Sequence, residues 1–79
     1  NLDEIDGIIK ENLKGWKFER LSNHVIAVLR LGVFEIMYND DIPALVGLNE
    51  AVGLAHTYSD EKEASFVNGL LNSVYKKVS

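Results

Sequence analysis

At 79 residues and 47% hydrophobic content, the chain has room for one domain, with a core of limited surplus stability, on the order of 3–5 kcal/mol. Its formal charge of −4 runs against an autonomous nucleic-acid binder, because phosphate contacts normally call for a basic excess. Without a cysteine, His24 and His56 have no thiol with which to build a zinc site, and no disulfide staples the fold.

The first helix carries Leu2, Ile5, Ile9, Leu13 and Trp16 on one stripe. Asp3, Glu4 and Asp6 sit near its start and Lys10 and Lys14 near its end, as the helix dipole prefers. Gly15 suits the left-handed residue that closes a helix, and "WKFERL" follows as a short connection. A second helix, capped by Ser22 or Asn23, is expected to run to about Asn39. Its apolar residues, Val25 to Tyr38, cover nearly the whole circumference at about 100° per residue. Such a helix has to be buried on most sides. Three short neighbours are too few to cover Val25, Ile26, Leu29, Val33, Ile36 and Met37, so further protein or a second copy is expected to pack there, giving a homodimer around residues 25 to 38.

Pro43 ends that helix, since it disfavours the helical conformation for Ile42. The third helix is predicted from about Leu48 to Thr57, with Glu50 three residues after Gly47. "SDEKE" opens the fourth, where Asp60 and Glu63 have capping-box spacing, and it extends to about Lys77. Inside it, Asn68-Gly69 is a strong turn signal. Capping residues precede the pair, however, and Phe66, Val67, Leu70, Leu71, Val74 and Val78 continue the helical period through it. Helix is therefore the prediction. Gly69, at a cost of about 1 kcal/mol relative to Ala, implies close approach of a neighbouring helix, and Asn68 implies a hydrogen bond to a loop or backbone group.

Chemistry-bearing constellations are sparse. His24 and Glu35 share a side of the second helix but lie three turns apart. Asp40-Asp41 lacks the spaced oxygens and glycine of a calcium loop. The serines have no nucleophile motif, and no glycine-rich phosphate loop follows a strand. No catalytic residues, metal site or cofactor are expected, and the chain does not read as an enzyme. Lys10, Lys14 and Lys17, with Arg20 beyond, read as a solvated face. Arg30 differs, because it interrupts an apolar helix and an unpaired buried charge is very costly. Its expected partner is Glu50 first and Glu35 second, a structural pairing in either case.

"GWKFERLS", "AVLRLGVFEIMYNDDIPALVGLNEAVGLAHTYS" and "SFVNGLL" resemble, in order and spacing, the second half of the NusB family of transcription antitermination factors. The likeness runs from about Ile5 to Val78. Its most specific parts are Leu29-Arg30-Leu31 with Glu35, Ile42-Pro43, Asn49-Glu50-Ala51-Val52 with Leu54-Ala55, and Phe66-Val67-Asn68-Gly69. The resemblance implies an all-α bundle of about four helices, residues 1–79 forming a single NusB-like domain that corresponds to the family's C-terminal half. The opening residue, Asn1 rather than methionine, fits that expectation.

The family's activity implies a factor in ribosomal-RNA transcription that binds boxA-type RNA together with NusE, a ribosomal protein, mainly through an arginine-rich N-terminal segment. The same fold also fronts some ribosomal-RNA cytosine methyltransferases as an RNA-positioning module, which is the alternative. Tyr58 and Phe66 retain the aromatic character that stacks on bases, with ordinary core packing as the other reading. The loop between them departs from the family, lacking a glycine after Tyr58 and a basic residue immediately before Phe66. With no signal peptide or membrane span in the sequence, a cytoplasmic protein without membrane partners is expected.

Overall fold

The computed structural model describes residues 2–78. Four helices follow one another as α1 (Leu2–Glu11), α2 (Asn23–Met37), α3 (Ala44–Tyr58) and α4 (Glu61–Val78), with a short 3-10 turn at Phe18–Arg20 between the first two. Among the described residues there is no strand, and the architecture is the all-α bundle expected.

The local signals explain most of the boundaries. The Ser22 hydroxyl accepts from the Val25 amide at 3.4 Å and starts α2. Asp60 and Glu63 form the reciprocal capping box, with the Glu63 amide donating to Asp60 Oδ1 at 2.7 Å and the Asp60 amide donating to Glu63 Oε1 at 3.3 Å. Gly15 adopts φ +81°, as expected for a left-handed residue, although α1 itself stops earlier, at Glu11. The third helix begins four residues before Leu48, at Ala44, directly after Pro43. Pro43 sits at the cap position with φ −60° and ψ 144°, and its fixed φ is compatible with helix entry. Gly47 is therefore inside the helix, not at its cap.

α2 is the central element, in contact with α1, α3 and α4. Gly32 faces Ala51 while Glu35 faces Gly47, so α3 runs antiparallel to it. The buried core gathers Ile5 and Ile9 from α1, Val25, Leu29, Val33 and Ile36 from α2, Leu48, Ala51 and Ala55 from α3, and Ala64, Val67, Leu70, Leu71 and Val74 from α4. Each fully buried aliphatic side chain stabilises the bundle by about 1.5–3 kcal/mol relative to exposure.

This corrects the expectation that α2 is too apolar for its company. Val25, Leu29, Val33 and Ile36 are all covered by the other three helices, and Ile26 packs against the core. The large apolar residues of this helix left outside are Leu31 and Phe34, 41% and 40% exposed, and, of those expected to be uncovered, Met37. A homodimer built on residues 25 to 38 thus loses most of the surface that motivated it.

The glycines are corrected as well. A Cβ at Gly47 would lie 2.5 Å from Glu35 Cβ, and one at Gly32 would lie 2.6 Å from Leu71 Cδ1. These two glycines permit close helix approach. A Cβ at Gly69 would meet nothing within 4 Å, so no neighbouring helix explains that residue. The helix nevertheless continues through Asn68-Gly69. Asn68 Oδ1 accepts from Asn72 Nδ2 at 2.7 Å, a bond one turn along α4 rather than to a loop.

Candidate nucleic-acid interface

The segment between α1 and the 3-10 turn positions the site. Gly15, in its left-handed conformation, turns the chain so that Trp16 lies against α4. There the Trp16 and Phe66 rings pack with centroids 4.5 Å apart and planes tilted by 32°. Lys62 Nζ stands 5.5 Å from the Trp16 ring centroid, and Lys10 Nζ stands 4.9 Å from that of Phe18. Both separations lie within the range of cation–π attraction. The expected lysine stripe is thus partly folded onto aromatic faces. Beside the ring pair lies a cavity of about 220 Å³ whose lining includes Asn12, Lys14, Trp16, Ser65, Phe66 and Gly69.

The two aromatic residues singled out from the sequence do not share a site. Phe66 is half-buried in the pair with Trp16. Tyr58, 70% exposed, lines a separate groove of about 480 Å³ between α2 and α3, with Leu31, Glu35, Glu50 and Leu54 on its walls. Trp16 is the member that sequence reasoning missed, because its helical register assigned it to the α1 stripe. Its neighbours Lys14, Gly15 and Lys17 were the available signal.

Arg30 has neither of its expected partners. Its Nε and Nη2 donate to Asp6 Oδ1 and Oδ2, both at 2.9 Å, in a bidentate pair joining α1 to α2. The hydrogen bonds from Arg30 hold the Asp6 carboxyl below its usual pKa, against the opposing effect of burial. Asp6 in turn pushes the guanidinium pKa up. A second link ties α1 to the residue that caps the end of α2: the Tyr38 hydroxyl donates to Glu4 Oε2 at 2.9 Å and has its pKa raised by that bond.

Glu35 and Glu50 instead belong to the α2–α3 groove. Glu35 accepts from Asn39 Nδ2 at 2.7 Å. His24 lies 3.5 Å from Glu63, not beside Glu35. Among the described residues no cluster of three or more histidine or acidic side chains is placed to hold a metal ion, and no helix is long and apolar enough to cross a membrane.

Taken together, these features place on one all-helical domain an aromatic cavity lined in part by a lysine and, apart from it, an apolar groove with carboxylates on its walls. A family model described as the NusB family matches residues 1–76, and the chain belongs to that family. It is 50% identical over 76 residues to a transcription antitermination protein NusB of Acetivibrio thermocellus, covering 96% of this chain and 52% of the relative. Against proteins of the same name it is 51% identical over 74 residues in Clostridium botulinum, covering 94% of this chain and 52% of that relative. In Ruminiclostridium cellulolyticum the identity is 54% over 72 residues, covering 91% and 50%. The chain spans about half the length of these curated relatives.

Proposed function

We propose that this chain serves a cytoplasmic, non-enzymatic transcription antitermination factor, joining boxA-type RNA to NusE during ribosomal-RNA transcription. The observation that carries this reading is the family match over residues 1–76, supported by relatives named for antitermination. The two cavities suit a division of labour. An unpaired base needs an aromatic face and nearby cations, which the Trp16–Phe66 surface offers. A basic ribosomal protein needs apolar area ringed by carboxylates, which the groove of Leu31, Glu35, Glu50 and Tyr58 offers. Tyr58 accordingly serves the protein-facing side, while Phe66 keeps the RNA role first assigned to both.

A net charge of −4 leaves little electrostatic attraction for RNA overall. Tight RNA binding accordingly depends on basic groups supplied by NusE or by another part of the gene product. The test is to titrate labelled boxA-type RNA with this chain, with NusE, and with both together. The RNA should be bound more tightly by the pair than by either component. Binding by the pair no tighter than by NusE alone would count against the reading.

A further inference from the structure

We propose that Asn68-Gly69 is a site of spontaneous covalent modification, deamidation of Asn68, which α4 holds dormant while it is closed. Asn68 is the one asparagine of the sequence followed by glycine. Deamidation begins when the backbone nitrogen of the following residue attacks the side-chain amide carbon. A following glycine, without a Cβ, obstructs that attack least. Both residues are exposed, and a Cβ at Gly69 would meet nothing within 4 Å, so no neighbouring element shields the pair. What protects it is the helix itself. Within α4 the Gly69 amide hydrogen is committed to the carbonyl one turn back, and Asn68 Oδ1 is held by Asn72 Nδ2 at 2.7 Å.

The same stretch is a weak point of α4. Glycine in a helix interior favours opening. Asn72 Nδ2 also donates to the Asn68 carbonyl at 2.8 Å, and the Ser73 hydroxyl donates to the Gly69 carbonyl at 3.2 Å. Side-chain bonds to the carbonyl four residues back compete with the helical ladder. When the turn opens, the Gly69 nitrogen gives its proton to solvent and bonds to Asn68 Cγ. The Cγ–Nδ2 bond breaks and ammonia leaves, taking up a proton, which closes a succinimide ring. Water then adds to either ring carbonyl and the ring C–N bond breaks, leaving an aspartyl or isoaspartyl residue. Each product adds a carboxylate to a chain of net charge −4. The isoaspartyl product also inserts a methylene into the main chain. That shifts Leu70, Leu71 and Val74, all buried, out of register with Ala64 and Val67. Modification is thus a one-way exit from the fold, paced by how often α4 opens.

The chain is incubated across a urea series below its unfolding midpoint, and conversion of Asn68 is followed by peptide mass spectrometry. Hydrogen exchange of the Gly69 amide is measured in the same solutions, because both processes need that N–H freed. Conversion should be at least about ten-fold slower than in the fully unfolded chain, as expected for a helix that is mostly closed. It should rise with urea in proportion to exchange at Gly69. Gly69→Ala should slow conversion in the folded and unfolded chain alike, with an unchanged helical circular-dichroism spectrum. The isoaspartyl form, separated by ion exchange, should be less helical and melt lower than the parent. Conversion as fast in the folded chain as in the unfolded one overturns the gating by α4. No conversion at Asn68 while the Gly69 amide exchanges overturns the site. An isoaspartyl form as helical and stable as the parent overturns the exit from the fold.

Discussion

Asp6 and Arg30 join the first helix to the central one through two hydrogen bonds of 2.9 Å each, in a fork-to-carboxylate geometry. The Arg30 side chain remains 39% exposed, so the pair is not the deeply buried one the apolar context suggested. Arg30→Ala and Asp6→Asn should each lower the melting midpoint, by a few degrees at most on the scale of a domain this size. A double-mutant cycle should reveal coupling between them, and none between Arg30 and Glu50. Strict additivity for Asp6 and Arg30 would contradict the pairing.

The pH dependence follows from the depressed Asp6 pKa. A carboxyl lowered in the folded state contributes stability that is fully present above its unfolded value, near 3.8. That contribution is lost as pH falls through the folded value. Asp6→Asn should therefore differ most from the parent near neutral pH. Thermal melts in a pH series should show the difference narrowing below about pH 4. A difference that grows on acidification would reverse the sign and refute the linkage.

Two glycines should respond to alanine in opposite directions. At Gly47 the new methyl would lie 2.5 Å from Glu35 Cβ and 3.3 Å from its carbonyl carbon. Overpacking of that kind costs about 1–3 kcal/mol, against a helix-propensity gain of about 1 kcal/mol. Gly47→Ala should be destabilising by up to about 2 kcal/mol. At Gly69 the space is open, so Gly69→Ala should stabilise by about 0.5–1 kcal/mol. Urea unfolding of the two variants provides the comparison, and equal signs would contradict the packing.

The Asp60–Glu63 capping box is both a local device and a tertiary one. Glu63 also accepts from the Ser22 hydroxyl at 3.3 Å, tying the start of α4 to the start of α2. Asp60→Ala should cost about 1 kcal/mol, the usual loss of a helix cap. Glu63→Ala should also weaken protection of the α2 amides in hydrogen exchange. An effect confined to α4 would show that the Ser22 contact is energetically idle.

What was legible in the sequence was local. Asp60 with Glu63, the left-handed Gly15 and the apolar period running through Asn68-Gly69 each depend on residues within a turn or two. The start of α3 was legible only in part, since Pro43 was read as ending one helix and not as opening the next. The pairings of Arg30 with Asp6 and of Trp16 with Phe66 were not legible. They depend on how each helix is rotated against its neighbour and on where the turn at Gly15 directs the chain, and neither follows from periodicity. The same limit explains α2: its apolar circumference was counted correctly, but how much of it three neighbours cover depends on Gly32 and Gly47 letting them approach. Tyr58 and Phe66 were chosen for shared chemistry, and chemistry alone does not reveal that they line different cavities.

The role of the groove makes a separate prediction. Leu31 is exposed and lies beside Glu35 and Glu50. Glu50→Arg, on an exposed wall residue, should weaken association with NusE by about ten-fold or more while leaving the fold intact. Sedimentation velocity distinguishes loss of that complex from self-association of this chain. An unaltered NusE complex would remove the groove from the interface.

The proposed bridging role is tested most directly by sedimentation of the complete gene product containing this chain with NusE and labelled boxA-type RNA. The expected result is one ternary complex that forms at concentrations where this chain alone leaves the RNA free. Sub-micromolar RNA binding by the 79 residues unaided, or a gene product that sediments apart from both NusE and RNA, would contradict it.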